Sequence, residues 1–162
     1  MASNPTSRNS FIESSILIAR SNRLHGLDLA WEYPKRSQKM TNFGKLLQEW
    51  HSAVEDESKR TGESCLLLTA AVYYSSEYNS VSYPVQTIIE CLDWVNIIAY
   101  EFYGLPTEPG PFAALYNPLG RPCGDSGLKQ CIKAGLPEKK AVFGFPYVGW
   151  SWSFANDDGY DL

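Results

Sequence analysis

Two carboxylates stand four residues apart in a stretch that alternates apolar residues with small or polar ones. A period of two over 24–32 predicts a strand with Leu27 and Leu29 on one face and Asp28 and Glu32 on the other. Ionised carboxylates are costly to bury unless they are paired, bound to metal or open to a cleft. The pattern therefore favours acid–base chemistry over a purely structural role for these two side chains.

The segment resembles the active-site strand of glycoside hydrolase family 18, the chitinases, and most closely the plant class V branch. That family carries the pattern Asp-Gly-x-Asp-x-Asp-x-Glu, in which the last Glu is the proton donor. Here His25 stands at the first Asp, Asp28 and Glu32 match, and Ala30 replaces the Asp two residues before the donor. Because Pro34 ends the strand, Glu32 is expected at its carboxyl end, where α/β barrels keep their chemistry.

Two later segments are also similar to the family. The run 99–104 is similar to its Tyr-Asp-Phe-Tyr-Gly strand end, with Glu101 in place of Asp, and the run 144–152 is similar to its seventh strand. By resemblance, Tyr100 would bind the acetamide carbonyl of a sugar and Tyr147 would line the cleft. Trp150 is assigned to substrate binding, with packing as the alternative, and for Tyr100 the site and core interpretations weigh equally.

The resemblance implies hydrolysis of β-1,4-linked N-acetylglucosamine polymers (chitin) by a substrate-assisted retaining mechanism, without metal or organic cofactor. In that mechanism the 2-acetamido carbonyl attacks the anomeric carbon, so that one acid, Glu32, is needed. The Asp replaced by Ala30 would stabilise the developing positive charge, and losing such a stabiliser costs on the order of 10²–10³ in rate. We therefore expect weak or absent turnover.

Two alternatives remain beside the hydrolase. One is a non-catalytic, lectin-like protein that binds chitin or its oligosaccharides through aromatic stacking and amide hydrogen bonds. The other is a truncated gene product that does not fold stably, because half a barrel exposes strand edges and apolar surface.

Composition sets wide limits on partners. The 162 residues are 44% hydrophobic with a net charge of −4, which gives no reason to expect nucleic acid or an anionic membrane surface. The 14% aromatic content fits core packing as well as a sugar-stacking cleft, and composition does not separate the two. No apolar run approaches the roughly 20 residues of a membrane span. Oligomeric state is left open.

The amino terminus lacks the charged-then-apolar order of a signal peptide, and this sequence therefore predicts a cytoplasmic location. The family resemblance implies an extracellular location instead. The cysteines show no metal spacing, and free thiols are favoured, with a Cys91–Cys131 bridge as the alternative in an oxidising compartment.

Helices and strands alternate along the chain. Periodicity predicts helices over 6–21, 38–60 and 84–92 and a short one with Asp125 as its N-cap, and strands over 24–32, 65–73, 94–100 and 140–145. Short connections between them indicate parallel βα units. The fold class is therefore α/β, an incomplete (β/α)8 TIM barrel of about four parallel strands, which the resemblance places at the family's strands four to seven. A closed barrel needs roughly 200 residues. We expect one partial catalytic domain over 1–162, truncated at both ends, with an insertion domain beginning after 152.

Overall fold

The computed structural model of the chain describes residues 1–102, 110–117, 120–149 and 151. Helices α1 to α4 and strands β1 to β6 follow in chain order, with one short 3-10 helix. Their bounds are α1 Pro5–Ser21, β1 Gly26–Ala30, α2 Ser37–Thr61, β2 Leu67–Tyr73, β3 Glu77–Tyr78, β4 Val81–Ser82, α3 Val85–Cys91, β5 Trp94–Ile98, α4 Gly124–Lys133, the 3-10 helix Glu138–Lys140 and β6 Ala141–Phe143.

Four strands form one parallel sheet in the order β1-β2-β5-β6. Asp28 lies opposite Thr69, Ala71 opposite Asn96, and Ile97 opposite Phe143. Helices separate successive strands of this sheet, and the sheet does not close on itself. The expected incomplete barrel of four parallel strands is confirmed.

Helix α2 provides the largest part of the core. Its apolar residues recur at the helical period, so they form one stripe that packs on the sheet. The fully buried members of this stripe are Phe43, Leu46, Leu47, Trp50 and Val54. The helix ends at Gly62, whose φ of 76° lets its N–H donate to the carbonyl of Ser58. Both the stripe and the stop agree with the sequence prediction.

Helix α1 is held against α2 by two ion pairs, a ring contact and the hydrogen bond that Nε1 of Trp50 donates to the hydroxyl of Ser15 at 3.1 Å. The guanidinium of Arg8 donates to Glu49 at 2.6 Å and that of Arg20 to Glu57 at 2.6 Å. Between them the rings of Phe11 and Trp50 meet edge to face, with 5.5 Å between centroids. These contacts fix α1 on the outer side of β1. The strand that leads to Glu32 is therefore packed against a helix on that side.

The amino end of α4 differs from the prediction. Cys123, not Asp125, occupies the N-cap position. The backbone N–H groups of Gly124 and Asp125 donate to the carbonyls of Ala114 and Leu115, which fixes the helix start two residues earlier. The carboxylate of Asp125 instead accepts from Lys129 one turn on, at 2.8 Å.

A hairpin between β2 and α3 was not predicted. Strands β3 and β4 are two residues each and pair antiparallel through a two-residue turn. Asn79 and Ser80 form this turn with φ of 52° and 60°, the left-handed values that a type I′ turn needs. The hairpin brings Tyr78 to the carboxyl end of the sheet.

The four cysteines are free thiols, and the alternative Cys91–Cys131 bridge is absent; Cys65 is exposed and the other three are buried. Within the described part of the chain, no helix combines the length and apolar character that crossing a membrane requires.

Candidate functional site

The inner face of the sheet carries several exposed side chains. Side chains at alternate positions point away from the helices, as the pleat of a strand requires. On β1 these are Asp28 and Ala30, both exposed, whereas Leu29 between them is buried against the helices. The strand pattern therefore places the carboxylate and the alanine on one accessible surface, as the alternation in the sequence predicts.

Asp28 is tied to the two neighbouring strands. Its Oδ1 accepts from the hydroxyl of Thr69 on β2 at 2.5 Å and from Nδ2 of Asn96 on β5 at 2.8 Å. The indole Nε1 of Trp94 donates in turn to Oδ1 of Asn96 at 3.1 Å. Three strands thus share one polar network, which holds the Asp28 carboxylate along the sheet.

Glu32 lies two residues beyond the end of β1 and is exposed. Among the described residues its carboxylate has no hydrogen-bond or ion-pair partner. The side chain between it and Asp28 on the same face is Ala30, whose methyl group neither donates nor accepts. Among the described residues, the Glu32 carboxyl group at this edge is therefore unpaired, and no polar side chain links it to the Asp28 network.

Four tyrosines are grouped next to Glu32, beginning with Tyr33, which follows it directly in the chain. The ring centroid of Tyr33 lies 5.2 Å from that of Tyr73 and 4.8 Å from that of Tyr78, and Tyr73 and Tyr74 are 4.6 Å apart. We call Tyr33, Tyr73, Tyr74 and Tyr78 the tyrosine cluster. The Tyr33–Tyr73 and Tyr73–Tyr74 pairs meet edge to face and the Tyr33–Tyr78 pair is tilted; aromatic pairs of these geometries stabilise a fold beyond the area that they bury. Sequence analysis did not identify the cluster, although a tyrosine directly after Glu32 and two at the end of β2 were visible signals.

Two members of the tyrosine cluster, Tyr33 and Tyr74, have a phenol pKa above the ordinary value. Burial, and then the negative charge of Glu32, raise the pKa of the Tyr33 phenol well above its ordinary range. Burial likewise raises the pKa of Tyr74 to about 12. At neutral pH the phenols of Tyr33 and Tyr74 therefore keep their protons and can donate hydrogen bonds.

Tyr100 and Glu101 follow the end of β5, at the same edge of the sheet as Glu32. The ring of Tyr100 lies against Gly144, where a Cβ would come within 3.2 Å of its Cε1 and 2.8 Å of the carbonyl oxygen of Ile97. Only glycine fits there, so Gly144 makes room for Tyr100. Glu101 is exposed and adopts a φ of 62°.

Tyr147 lies beyond β6 and its side chain is fully exposed, at 104%. Trp150 lies outside the described residues, so its assignment to substrate binding stays a prediction. His25 stands at the opposite, amino end of β1, in an open hollow of about 820 Å³ that it shares with Arg20 and Cys65. Structure thus brings Glu32, Tyr100 and Glu101 to one edge and leaves His25 at the other.

No group of three or more His, Cys, Asp or Glu side chains that could hold a metal ion occurs within 1–102, 110–117, 120–149 and 151. The described residues at this edge carry a carboxyl group on Glu32, tyrosine hydroxyls that can form hydrogen bonds and aromatic rings that can stack.

Comparisons with known proteins place this arrangement in a family. The family model described as "Glycosyl hydrolases family 18" matches residues 1–161. A class V chitinase of Arabidopsis thaliana is 55% identical over 99% of this chain and 43% of its own length. A mutant class V chitinase from Nicotiana tobaccum, solved in complex with NAG4, superposes with a TM-score of 0.87 and 45% identity over 91% of this chain and 43% of its own. A chitinase-like agglutinin from Robinia pseudoacacia superposes with a TM-score of 0.82 and 42% identity, over 90% of this chain and 45% of its own. The chain thus spans less than half the length of these relatives.

Proposed function

The chain belongs to glycosyl hydrolases family 18, and from this premise we propose that it binds oligosaccharides of β-1,4-linked N-acetylglucosamine at the carboxyl edge of its sheet. Support comes from the open edge at which Glu32, Tyr100 and Glu101 converge, and from the NAG4 complex of the similar Nicotiana chitinase. Tyr100, Glu101, Tyr147 and Trp150 are the proposed sugar-contacting residues.

Glu32 is the proposed proton donor. In a substrate-assisted reaction its proton passes to the glycosidic oxygen as the bond from that oxygen to the anomeric carbon breaks. The 2-acetamido carbonyl oxygen of the same sugar forms the new bond to the anomeric carbon. Water then opens the cyclic intermediate and returns a proton to Glu32, with retained configuration. The exposed position of Glu32 supports this role, because the acid has to reach both sugar and solvent.

Ala30 limits this reaction in our account. The observation that carries the proposal is the split between the two carboxylates. Asp28 is engaged by Thr69 and Asn96, and Ala30 places no polar atom between Asp28 and Glu32. An acetamide at this position meets no carboxylate that would orient it, so we propose that binding is retained and turnover is weak.

A lectin-like role is the second candidate. Ala30 favours it, since stacking and amide hydrogen bonds outlast the loss of a charge stabiliser. The similar protein from Robinia pseudoacacia is described as a chitinase-like agglutinin, which supports this second candidate. In this version Glu32 is a ligand contact and not an acid.

Domain organisation and location are parts of the same proposal. We propose that residues 1–162 form one partial catalytic domain of the family and that its location is extracellular; membership of the family supports both.

A titration tests the proposed function. Calorimetry with the tetramer (GlcNAc)4, run beside chromatography of any released products, separates binding from hydrolysis. Saturable binding with slow release of shorter oligomers supports the hydrolase, and saturable binding without any release supports the lectin-like role. Absence of binding at millimolar tetramer would contradict both candidates.

A further inference from the structure

Glu32 is exposed, whereas its neighbours in the chain are anchored. Trp31 and Tyr33 on either side of it are half-buried, and Pro34 is buried. Because the carboxylate of Glu32 has no hydrogen-bond partner among the described residues, polar contacts do not fix its direction. The direction depends instead on the backbone, and therefore on the contacts that hold the residues on either side.

The residue before Glu32 is held by α2. The ring centroids of Trp31 and Phe43 are 6.2 Å apart, in an edge-to-face arrangement. The ring of Phe43 also meets that of Tyr83, which follows β4, with 5.8 Å between centroids. The hydroxyl of Tyr83 accepts a hydrogen bond from the backbone N–H of Tyr73 at 3.2 Å. Phe43 thus connects the residue before the acid to the end of the β3–β4 hairpin.

The residues after Glu32 are held by the hairpin itself. The ring of Tyr78 on β3 lies 4.8 Å from that of Tyr33 and 4.7 Å from that of Tyr73, measured between centroids. At the turn of the hairpin, Nδ2 of Asn79 donates to the backbone carbonyl of Lys35 at 3.3 Å. The hairpin therefore contacts the segment that follows the acid at two points, one apolar and one polar.

We propose that Tyr78 is a positioning residue for Glu32: by packing on Tyr33, it holds the backbone from which the carboxyl group projects. An acid has to be kept close to its productive geometry, and a misplacement of about 1 Å can cost on the order of 10² in rate. The consequence for hydrolysis rests on the proposed function, whereas the consequence for the backbone does not.

Tyr78 is also the contact that can be removed with the least effect on the rest of the fold. Phe43 is fully buried in the core, and Tyr73 lies in a strand of the four-stranded sheet. Tyr78 is half-buried and lies in a strand of two residues outside that sheet. A substitution at Tyr78 therefore separates the orientation of the acid from the folding of the sheet.

Backbone NMR relaxation of the full 162-residue chain tests the proposal without any sugar. In Tyr78→Ala, the order parameter of the Tyr33 amide should fall from the rigid value of about 0.85 toward about 0.6. Tyr78→Phe keeps the ring and should keep the order parameter. Phe11→Ala is the matched control, because it removes the ring that contacts Trp50 on the outer side of the sheet and should leave the Tyr33 amide unchanged.

Release of shorter oligomers from (GlcNAc)4 measures the consequence for the acid. Tyr78→Ala should slow this release on the order of 10²-fold, while the dissociation constant of the tetramer changes little. Tyr78→Phe should restore the rate. Where the rate of the unmodified chain is too low to measure, the same substitutions are compared in the Ala30→Asp background. A loss of stability alone would not divide turnover from affinity in this way.

A second variant keeps the test decisive if Tyr78→Ala does not fold. Asn79→Gly retains the left-handed turn, because glycine accepts the φ of 52°, and removes the hydrogen bond to Lys35. It loosens the hairpin from the same segment, so the order parameter of the Lys35 amide should fall. Circular dichroism verifies the fold of each variant.

The proposal would be overturned by a folded Tyr78→Ala variant in which the Tyr33 amide stays as rigid as in the unmodified chain. An equal loss of order in Phe11→Ala, or a Tyr78→Phe variant as impaired as Tyr78→Ala, would overturn it as well. If Tyr78→Ala does not fold, an unchanged Lys35 amide in Asn79→Gly would do the same. Affinity that falls as far as the rate would make Tyr78 a sugar contact instead. Absence of hydrolysis even with Ala30→Asp would contradict the proposed hydrolase, and the NMR result would then decide the role of Tyr78 by itself.

Discussion

The side-chain amide of Asn96 donates to the carboxylate of Asp28 across 2.8 Å, although β2 lies between their two strands. This contact, together with the hydroxyl of Thr69, turns Asp28 along the sheet. Asp28 therefore serves the inner face as an acceptor, and it does not reach along its own strand to Glu32. Of the two carboxylates, that of Asp28 is hydrogen-bonded, whereas that of Glu32 has no hydrogen-bond partner among the described residues.

The free carboxylate supplies the first prediction. Glu32→Gln keeps the size of the side chain but cannot protonate a leaving group, so any residual hydrolysis should fall by about 10²–10⁴ while affinity for (GlcNAc)4 changes little. Product chromatography and calorimetry on the same preparation measure both quantities. Hydrolysis that survives this substitution would exclude Glu32 as the acid.

A second prediction concerns the polar network. Asn96→Asp removes a donor and places two carboxylates in contact, which should lower the free energy of unfolding by about 2–3 kcal/mol at pH 7. On folding, this pair takes up a proton that the unfolded chain has released, so the deficit should shrink as pH falls toward about 4.5. Urea unfolding at both pH values measures it.

Asn96→Leu is the matched control for the network, because it removes the same donor without adding a charge. Its deficit should shrink much less than that of Asn96→Asp as pH falls, because it adds no second carboxylate. Equal pH dependence of the two variants would mean that Asp28 and residue 96 do not interact in solution.

A third prediction concerns the ion pair between α1 and α2. The hydrogen bond from Arg20 holds the pKa of Glu57 below its ordinary value of 4.5. A depressed pKa contributes stability above the unfolded value and loses it as pH falls through the folded one. Arg20→Met should therefore cost about 2 kcal/mol at pH 7 and progressively less below about pH 4.

Arg23→Met controls for the loss of a positive charge, since Arg23 is exposed and lies just beyond the same helix. We expect a change within about 0.5 kcal/mol. An Arg20→Met deficit that is constant between pH 7 and pH 3 would contradict the assigned cause of the Glu57 shift.

A fourth prediction concerns the contact between α4 and the tyrosine cluster. A Cβ on Gly127 would lie 2.3 Å from the carbonyl oxygen of Tyr74, and a backbone atom cannot move aside as a side chain can. Gly127→Ala should thus destabilise the fold by about 1–3 kcal/mol in thermal or urea unfolding.

Gly44→Ala is the matched control inside a helix. Its Cβ would meet Pro84 at an ordinary 3.4 Å, and alanine is favoured over glycine in helices by roughly 0.5–1 kcal/mol. Destabilisation by Gly44→Ala as large as that by Gly127→Ala would show that the Tyr74 contact is not the cause.

The main elements could be predicted because their signals are local. The stripe in α2 predicts a helix over 38–60, within one residue of each observed end, and Gly62 ends it as expected. Strand β1 is shorter than expected, ending at Ala30, so Glu32 occupies the loop just beyond it. The hairpin carries no glycine at its turn, and strands of two residues give no periodicity to detect.

The environment of the site could not be predicted from one strand. The partners of Asp28 depend on the register of β1, β2 and β5, which no local pattern contains. The start of α4 likewise depends on carbonyls of Ala114 and Leu115, which belong to the irregular segment that precedes the helix. Glu32 itself was visible because its position in a motif is a property of the sequence alone.

The most direct measurement of the central claim is the rate at which Ala30→Asp releases short oligomers from (GlcNAc)4, compared with the unmodified chain. If hydrolysis is slow because position 30 lacks a carboxylate, the substitution should raise the rate on the order of 10²–10³. Adding Glu32→Gln to this variant should cancel the gain. Ala30→Asn, of equal size and without charge, should give much less. A folded, sugar-binding Ala30→Asp variant that hydrolyses no faster than the unmodified chain would contradict the account.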